Sequence, residues 1–140
     1  MFNLGISCYY HDSAAALLED GHVVAAVEEE RFSRKKFDDD FPKLSIAWCL
    51  NEAKIKPEQI HSIAFYDKPI QKFERLLDNY IAVAPKGLSS FLDTIPKWLH
   101  KRLWIKNEIK NALDGFKGEI IFPEHHLSHA AHTFYTSPFE

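Results

Sequence analysis

Four of the chain's eight histidines fall within eight consecutive positions of Pro123-Glu124-His125-His126-Leu127-Ser128-His129-Ala130-Ala131-His132. If this stretch is helical, His125 and His129 stand one turn apart on one face, where two imidazoles can share a metal ion. Such pairs also arise by chance, and His126 and His132 read equally well as core or helix-end residues. Two imidazoles are an incomplete ligand set, because zinc or iron takes further donors, often carboxylates. The sequence offers no convincing third. A second group is His11-Asp12-Ser13. An imidazole with its ordinary pKa of about 6.5 can serve as a general base, with Asp12 orienting it or binding a substrate amine or hydroxyl. The same three residues are also ordinary turn chemistry. A third group is the basic rim Arg31, Arg34, Lys35 and Lys36 after Glu28-Glu29-Glu30, which either meets an anion or is a solvated strand exit. Last come Tyr66-Asp67-Lys68-Pro69, which end an apolar run where open α/β sheets bind ligands, or simply make a turn.

The elements that must carry these groups follow from apolar patterning. Residues 3–8 read as a buried strand. Residues 14–18 and 23–27 are apolar runs around Asp20-Gly21, a hairpin signal because a type I′ turn needs positive φ at both central positions. Their near-continuous apolar character predicts a sheet covered on both faces. Asp38-Asp39-Asp40 marks a loop. Residues 42–55 have helical periodicity, Pro57-Glu58-Gln59 a turn or short helical turn, and residues 60–66 a strand. Residues 70–83 read as a helix broken by Ala84-Pro85-Lys86-Gly87. Residues 88–113 read as a long helical segment, kinked or divided near Pro96 and stopped at Gly115. Residues 119–122 are a strand, and the histidine cluster opens the next helix. The order is three strands, helix, strand, helices, strand, helix. That is the layout of an actin-like, ribonuclease H-like (ASKHA) α/β domain, a three-stranded meander followed by alternating helices and strands.

Composition narrows the class. The 140 residues are 46% apolar and 26% charged, as in a globular protein with a real core. A net charge of −3 gives no field that would draw nucleic acid. No apolar run approaches the roughly 18 residues of a membrane span, and the N-terminus lacks the basic start and apolar core of a signal peptide. Cys8 and Cys49 are far apart in apolar surroundings and read as reduced, buried thiols of a cytoplasmic protein. Eleven Phe, five Tyr and three Trp must be buried or cover a partner surface.

Taken together, Gly5-Ile6-Ser7, the stretch from His11-Asp12-Ser13 to Leu18, the run from Glu28 to Lys36, and His125-His126-Leu127-Ser128-His129-Ala130-Ala131 resemble the O-carbamoyltransferases of the nodulation-factor (NodU) and antibiotic-tailoring type. Several ordered motifs over essentially the whole chain make the resemblance specific. It implies an N-terminal domain like that of the tRNA threonylcarbamoyl-transferase, with a C-terminal YrdC-like domain that makes carbamoyl-adenylate from carbamoyl phosphate and ATP. The N-terminal domain then passes the carbamoyl group to a hydroxyl of a small-molecule acceptor beside a divalent metal, iron first, with zinc or manganese also suited to the donors. By position, the metal histidines fall on His125 and His129, the acceptor-side histidine on His11 with Asp12 adjacent, and the phosphate-binding basic pair on Lys35 and Lys36. Family chains are several times longer. The expectation is therefore that residues 1–140 are the N-terminal part of the carbamoyltransferase N-terminal domain, without the YrdC-like domain, inactive alone and weak in metal binding.

Two other readings compete. A small-molecule kinase of the same fold is weaker, because the first loop has His11-Asp12-Ser13 where a kinase would carry an Asp-x-Gly-Thr phosphate signature. A non-catalytic module, homodimerising through exposed aromatic surface, would bind neither metal nor nucleotide.

Overall fold

The structure is a computed structural model and describes residues 1–138. Five strands, β1 (Phe2–Ser7), β2 (Ala14–Glu19), β3 (His22–Glu28), β4 (Ile60–Phe65) and β5 (Glu119–Ile121), form one sheet in the order β3-β2-β1-β4-β5. The β1–β2 and β2–β3 pairs are antiparallel, whereas β4 joins β1, and β5 joins β4, in parallel. The β2–β3 turn is made as expected: Asp20 and Gly21 take φ of 49° and 85°. Six helices complete the described residues: α1 (Glu30–Ser33), α2 (Lys43–Glu52), α3 (Pro69–Val83), α4 (Leu88–His100), α5 (Ile105–Ala112) and α6 (His125–Tyr135). None is long and apolar enough to cross a membrane.

The chain divides into two compact units. One comprises Met1–Asp67 and the stretch from Ala112 onward, and holds the sheet with α1, α2 and α6. The other, Lys68–Asn111, is helical, with Ile95, Trp98, Ile105 and Ile109 buried and the rings of Phe73 and Trp98 5.9 Å apart. Within it the expected division near Pro96 is displaced. Pro96 sits inside α4, and the break comes at Lys101, whose φ and ψ of −125° and −65° leave the helix before the 3-10 turn Arg102–Trp104. Proline removes a single backbone bond, and α4 continues past it.

The core of the sheet unit lies on one face. Leu4, Ile6, Ala15, Leu17, Ala25 and Ile63 point from the strands to the same side, with Ile46 and Cys49 of α2 buried against them. Cys49 is fully buried, its Sγ 3.7 Å from the Ala15 carbonyl oxygen, and burial pushes its thiol up to about 11. Cys8 is buried as well, and both thiols are free. The expectation of a sheet covered on both faces does not hold for the described residues. The register aligns Ala26, Ala16, Gly5, Ala64 and Ile121 across the opposite face, where the first four floor an open cavity of about 660 Å3. The apolar runs look continuous because alanine and glycine fill the alternate positions, not because large side chains point both ways.

Tertiary bonds fix the loops around this sheet. Glu29 is buried, and its carboxylate accepts hydrogen bonds from Leu44 N (3.0 Å), Ser45 N (2.8 Å) and Ser45 Oγ (2.6 Å). It thereby caps the first turn of α2, whose N-cap residue, Pro42, supplies no side-chain hydrogen bond. At the other end of the unit, β5 lies so close to β4 that a Cβ on Gly118 would collide with the His61 carbonyl oxygen, so only glycine fits.

Candidate functional site

Parallel pairing determines which loops meet. Strands β1, β4 and β5 run in the same direction, so the segments that leave their carboxyl ends emerge together at one edge. From β1 come Ser7, Tyr10 and His11; from β4 comes Tyr66; after β5 comes α6, with His125, Ser128 and His129. These seven residues line a cavity of about 190 Å3. A first-loop histidine and a histidine pair more than a hundred residues on thus face one small space.

The histidine cluster opens α6 as its spacing predicts. The Nε2 atoms of His125 and His129 are 3.2 Å apart and their rings are nearly perpendicular, with centroids 4.6 Å apart. Two imidazole nitrogens bound at about 2.0–2.1 Å to one tetrahedral ion stand roughly 3.3 Å apart. The spacing of the pair therefore matches two positions of a shared ion. Among the described residues no group of three or more His, Cys, Asp or Glu side chains is arranged around a metal, so the pair is a partial set. His125 is half-buried and Nδ1 of its ring is buried with no hydrogen-bond partner among the described residues. His126 is exposed and does not line the cavity, and neither does His132.

The helix is tied down beside the cavity. Ser128 Oγ donates to the carbonyl oxygens of Tyr66 (3.2 Å) and Glu124 (3.3 Å). A run of aromatic contacts, Phe122 on Phe65, Phe65 on Tyr66 and Tyr66 on His125, leads from the buried side of β4 to the histidine pair.

His11 is exposed at the cavity mouth. Its Nδ1 lies 3.3 Å from Asp12 Oδ2, and its ring lies 4.8 Å from that of Tyr10. Its loop is held from below. Tyr9 N donates to the Asp39 carbonyl (2.7 Å), Ser13 N to the Asp38 carbonyl (2.7 Å), and Glu29 N to the Ser13 carbonyl (2.8 Å). The Asp38-Asp39-Asp40 loop is therefore the backbone support of the His11 loop.

Lys35 and Lys36 stand elsewhere. Neither lines the histidine cavity or the larger cavity on the open sheet face. Lys35 Nζ pairs with Asp38 (3.2 Å) and Asp40 (3.4 Å); the hydrogen bond to Asp38 first, then the charges of both carboxylates, raise its pKa from the ordinary value. The Ser33 hydroxyl, the Asp40 backbone N–H and Lys35 in turn hold the Asp38 carboxyl below the usual carboxylate value. Lys36 is exposed. The basic residue on the rim of the larger cavity is Arg31, which pairs with Glu28 at 3.4 Å. That cavity shares Ser7, Tyr66 and Ser128 with the smaller one, so the two adjoin.

Tyr66 carries more of the site than its sequence context suggests. The end of β4 is legible as a ligand-facing position, but the ring contact with His125 is not, because the partners are 59 positions apart. Glu29 is missed for the same reason: within an acidic run it reads as solvated, and its partners in α2 lie 15 and 16 residues on.

Residues 3–140 match the family described as carbamoyltransferase N-terminus. The uncharacterized protein sll1178 of Synechocystis is 50% identical over 98% of this chain and 23% of its own length. Nodulation protein NolNO of Sinorhizobium fredii is 37% identical over 94% of this chain and 18% of its own. The chain spans about a fifth of the length of these two relatives.

Proposed function

The chain belongs to the carbamoyltransferase N-terminus family, and from that premise we propose that it supplies the transfer site of an ATP-dependent O-carbamoyltransferase. In this reading, the carbamoyl group of carbamoyl phosphate is activated as carbamoyl-adenylate and passed to a hydroxyl of a small-molecule acceptor. The observation that carries the proposal is the meeting of His11 with the His125–His129 pair in one cavity.

His125 and His129 would hold two positions of a divalent metal through Nε2; when bound, the ion supplies Lewis acidity toward a carbonyl or phosphoryl oxygen. Its identity as iron, zinc or manganese follows from donor type only. His11 would take the acceptor hydroxyl proton as the new O–C bond forms and the bond from carbamoyl carbon to phosphate oxygen breaks, releasing AMP. Asp12, 3.3 Å from His11 Nδ1, would keep the other ring nitrogen, Nε2, free for that proton. Lys35 and Lys36 remain proposed phosphate partners. For Lys35 this requires exchanging Asp38 and Asp40 for the phosphate, so Lys36 is the readier of the two.

The fold reading belongs here also. A three-stranded meander continued by parallel β4 and β5 supports the actin-like, ribonuclease H-like class. The chain would be the N-terminal part of that domain, with donor activation assigned to a separate YrdC-like domain.

The test uses a polypeptide of the relatives' full length carrying residues 1–140. Carbamoyl phosphate- and ATP-dependent carbamoylation of a hydroxyl acceptor is expected, abolished by His125→Ala. ATP-dependent phosphorylation of the acceptor without carbamoyl phosphate would overturn the reading in favour of a kinase.

A further inference from the structure

The polar side chains that line the histidine cavity differ in how far the chain itself engages them. His125 and His129 meet through Nε2, and His11 meets Asp12. Ser128 Oγ donates to the Tyr66 and Glu124 carbonyls, and the rings of Tyr10 and Tyr66 pack on His11 and His125. Ser7 stands apart, because its hydroxyl has no hydrogen-bond partner among the described residues. Its direction follows from strand alternation. Leu4 and Ile6 of β1 are buried in the sealed core, so Gly5 and Ser7 point to the open face. Ser7 is the last residue of β1 and is half-buried, and it lines both the small cavity and the larger one that adjoins it. Its main chain is set by the β1–β2 pairing, opposite Ala14. A half-buried hydroxyl on a strand end, held in place and unanswered, is available to a ligand.

We propose that Ser7 recognises the amino group of the carbamoyl moiety: its Oγ accepts a hydrogen bond from the carbamoyl N–H and so selects a carbamoyl donor over an acyl donor of the same size. The role rests on the transfer reading above. In that reading His11 serves the acceptor hydroxyl, and the metal position at His125 and His129 serves a carbonyl or phosphoryl oxygen. The amino group is then the polar part of the carbamoyl still without a partner, and Ser7 carries the cavity hydroxyl still without one. The chemistry of the two matches. The carbamoyl nitrogen is conjugated to its carbonyl, so it has two N–H donors and no basic lone pair, and it needs an acceptor. A serine oxygen offers two lone pairs. Among the described residues no carboxylate lines the small cavity, so the contact is between neutral groups. An acetyl group puts a methyl where the carbamoyl has its NH2. The methyl cannot donate, and it leaves the Ser7 oxygen unpaired against an apolar surface, which is the arrangement by which a hydrogen-bonding site rejects an isostere. Ser7 touches the transferred group and takes no proton in the reaction.

The test uses the polypeptide of the relatives' full length, supplied with preformed carbamoyl-adenylate or acetyl-adenylate and with glycerol as the acceptor probe. AMP release counts transfer to glycerol and to water together, and kcat/KM is measured for each donor. Ser7→Ala should lower the carbamoyl-to-acetyl ratio of kcat/KM by about five- to tenfold, the scale of one neutral hydrogen bond. The ratio cancels the different reactivities of the two donors, and it cancels any loss of folded protein, which lowers both rates alike. Ser7→Thr keeps the hydroxyl and should hold the ratio within about twofold; a Thr variant as unselective as the Ala variant would overturn the hydroxyl's part. Ser128→Ala, which unties α6 from the Tyr66 carbonyl, should lower both rates alike, and a tenfold fall in the ratio there would move the recognition to Ser128 and overturn this assignment. If Ser7→Ala leaves the ratio unchanged while carbamoyl transfer persists, the assignment of Ser7 is wrong and the transfer reading stands. Release of AMP from neither adenylate by the wild-type polypeptide would overturn the transfer reading, and the role of Ser7 with it.

Discussion

The acidic loop around Glu29 to Asp40 and the histidine cavity are both rich in polar groups, and they treat them in opposite ways. In the loop the buried charges, Glu29 and Asp38, are answered from within the chain. Glu29 caps α2, Lys35 bridges Asp38 and Asp40, and backbone bonds from Tyr9 and Ser13 end on the loop's carbonyls. In the cavity the strongest donors and acceptors face each other or open space. His125 and His129 share one contact, His125 Nδ1 has no acceptor among the described residues, and His11 is exposed. Polar groups answered internally contribute stability; groups held in place but unanswered are available to a ligand.

This contrast breaks if variants on the two sides behave alike. The largest effect is expected at the pair. His125→Ala or His129→Ala should weaken Co(II) binding by the 140-residue chain by about a hundredfold or more, read by calorimetry, with the urea midpoint almost unmoved. Next is Glu29→Ala, which strands two α2 backbone donors and the Ser45 hydroxyl in a buried position. It should cost about 2–3 kcal/mol in urea unfolding and leave Co(II) affinity within twofold once folded. A Glu29→Ala chain as stable as wild type would show that the cap is supplied elsewhere.

The pH dependence sharpens the same comparison. The Asp38 carboxyl is held below its ordinary value, so the native state binds its proton less readily than the unfolded chain does. Its contribution is complete above the ordinary carboxylate pKa of about 3.8 and is lost as pH falls through the depressed value. Lys35 is raised, so its contribution is complete below about 10.5 and is lost as pH rises beyond the folded-state value. Asp38→Asn should flatten part of the acid limb of a stability profile measured between about pH 2 and pH 7; an unchanged limb would remove the loop's charges from the account of stability. The smallest effect belongs to Cys49. With its thiol pushed up to about 11 by burial, it should react with a disulfide reagent at about pH 8 only as fast as the chain unfolds, and rapid stoichiometric reaction in the native state would contradict the sealed face.

Much of this organisation was legible where the interactions are local. Asp20-Gly21 announced its hairpin because both residues take positive φ at little cost. The i, i+4 spacing of His125 and His129 announced a facing pair because a helix brings every fourth side chain to one side. The break after α4 was read near Pro96, five residues early, since proline is a visible signal and the dihedral angles of Lys101 are not. The apolar runs of β1 to β3 implied two covered faces, because hydropathy counts an alanine row as it counts a leucine row. In the structure Leu4, Leu17 and Ile63 seal one side, while Ala16, Ala26 and Ala64 leave the other open.

The sequence by itself determined the elements, the separation of the histidine pair along its helix, and the family. Only the tertiary structure decided that His11 meets that pair, that Tyr66 stands against His125, and that Lys35 is held by carboxylates while Glu29 caps a distant helix. The reason is physical. Helical spacing and turn dihedrals are properties of a few consecutive residues, whereas these meetings depend on β1, β4 and β5 pairing in parallel register and delivering their loops to one edge of the sheet.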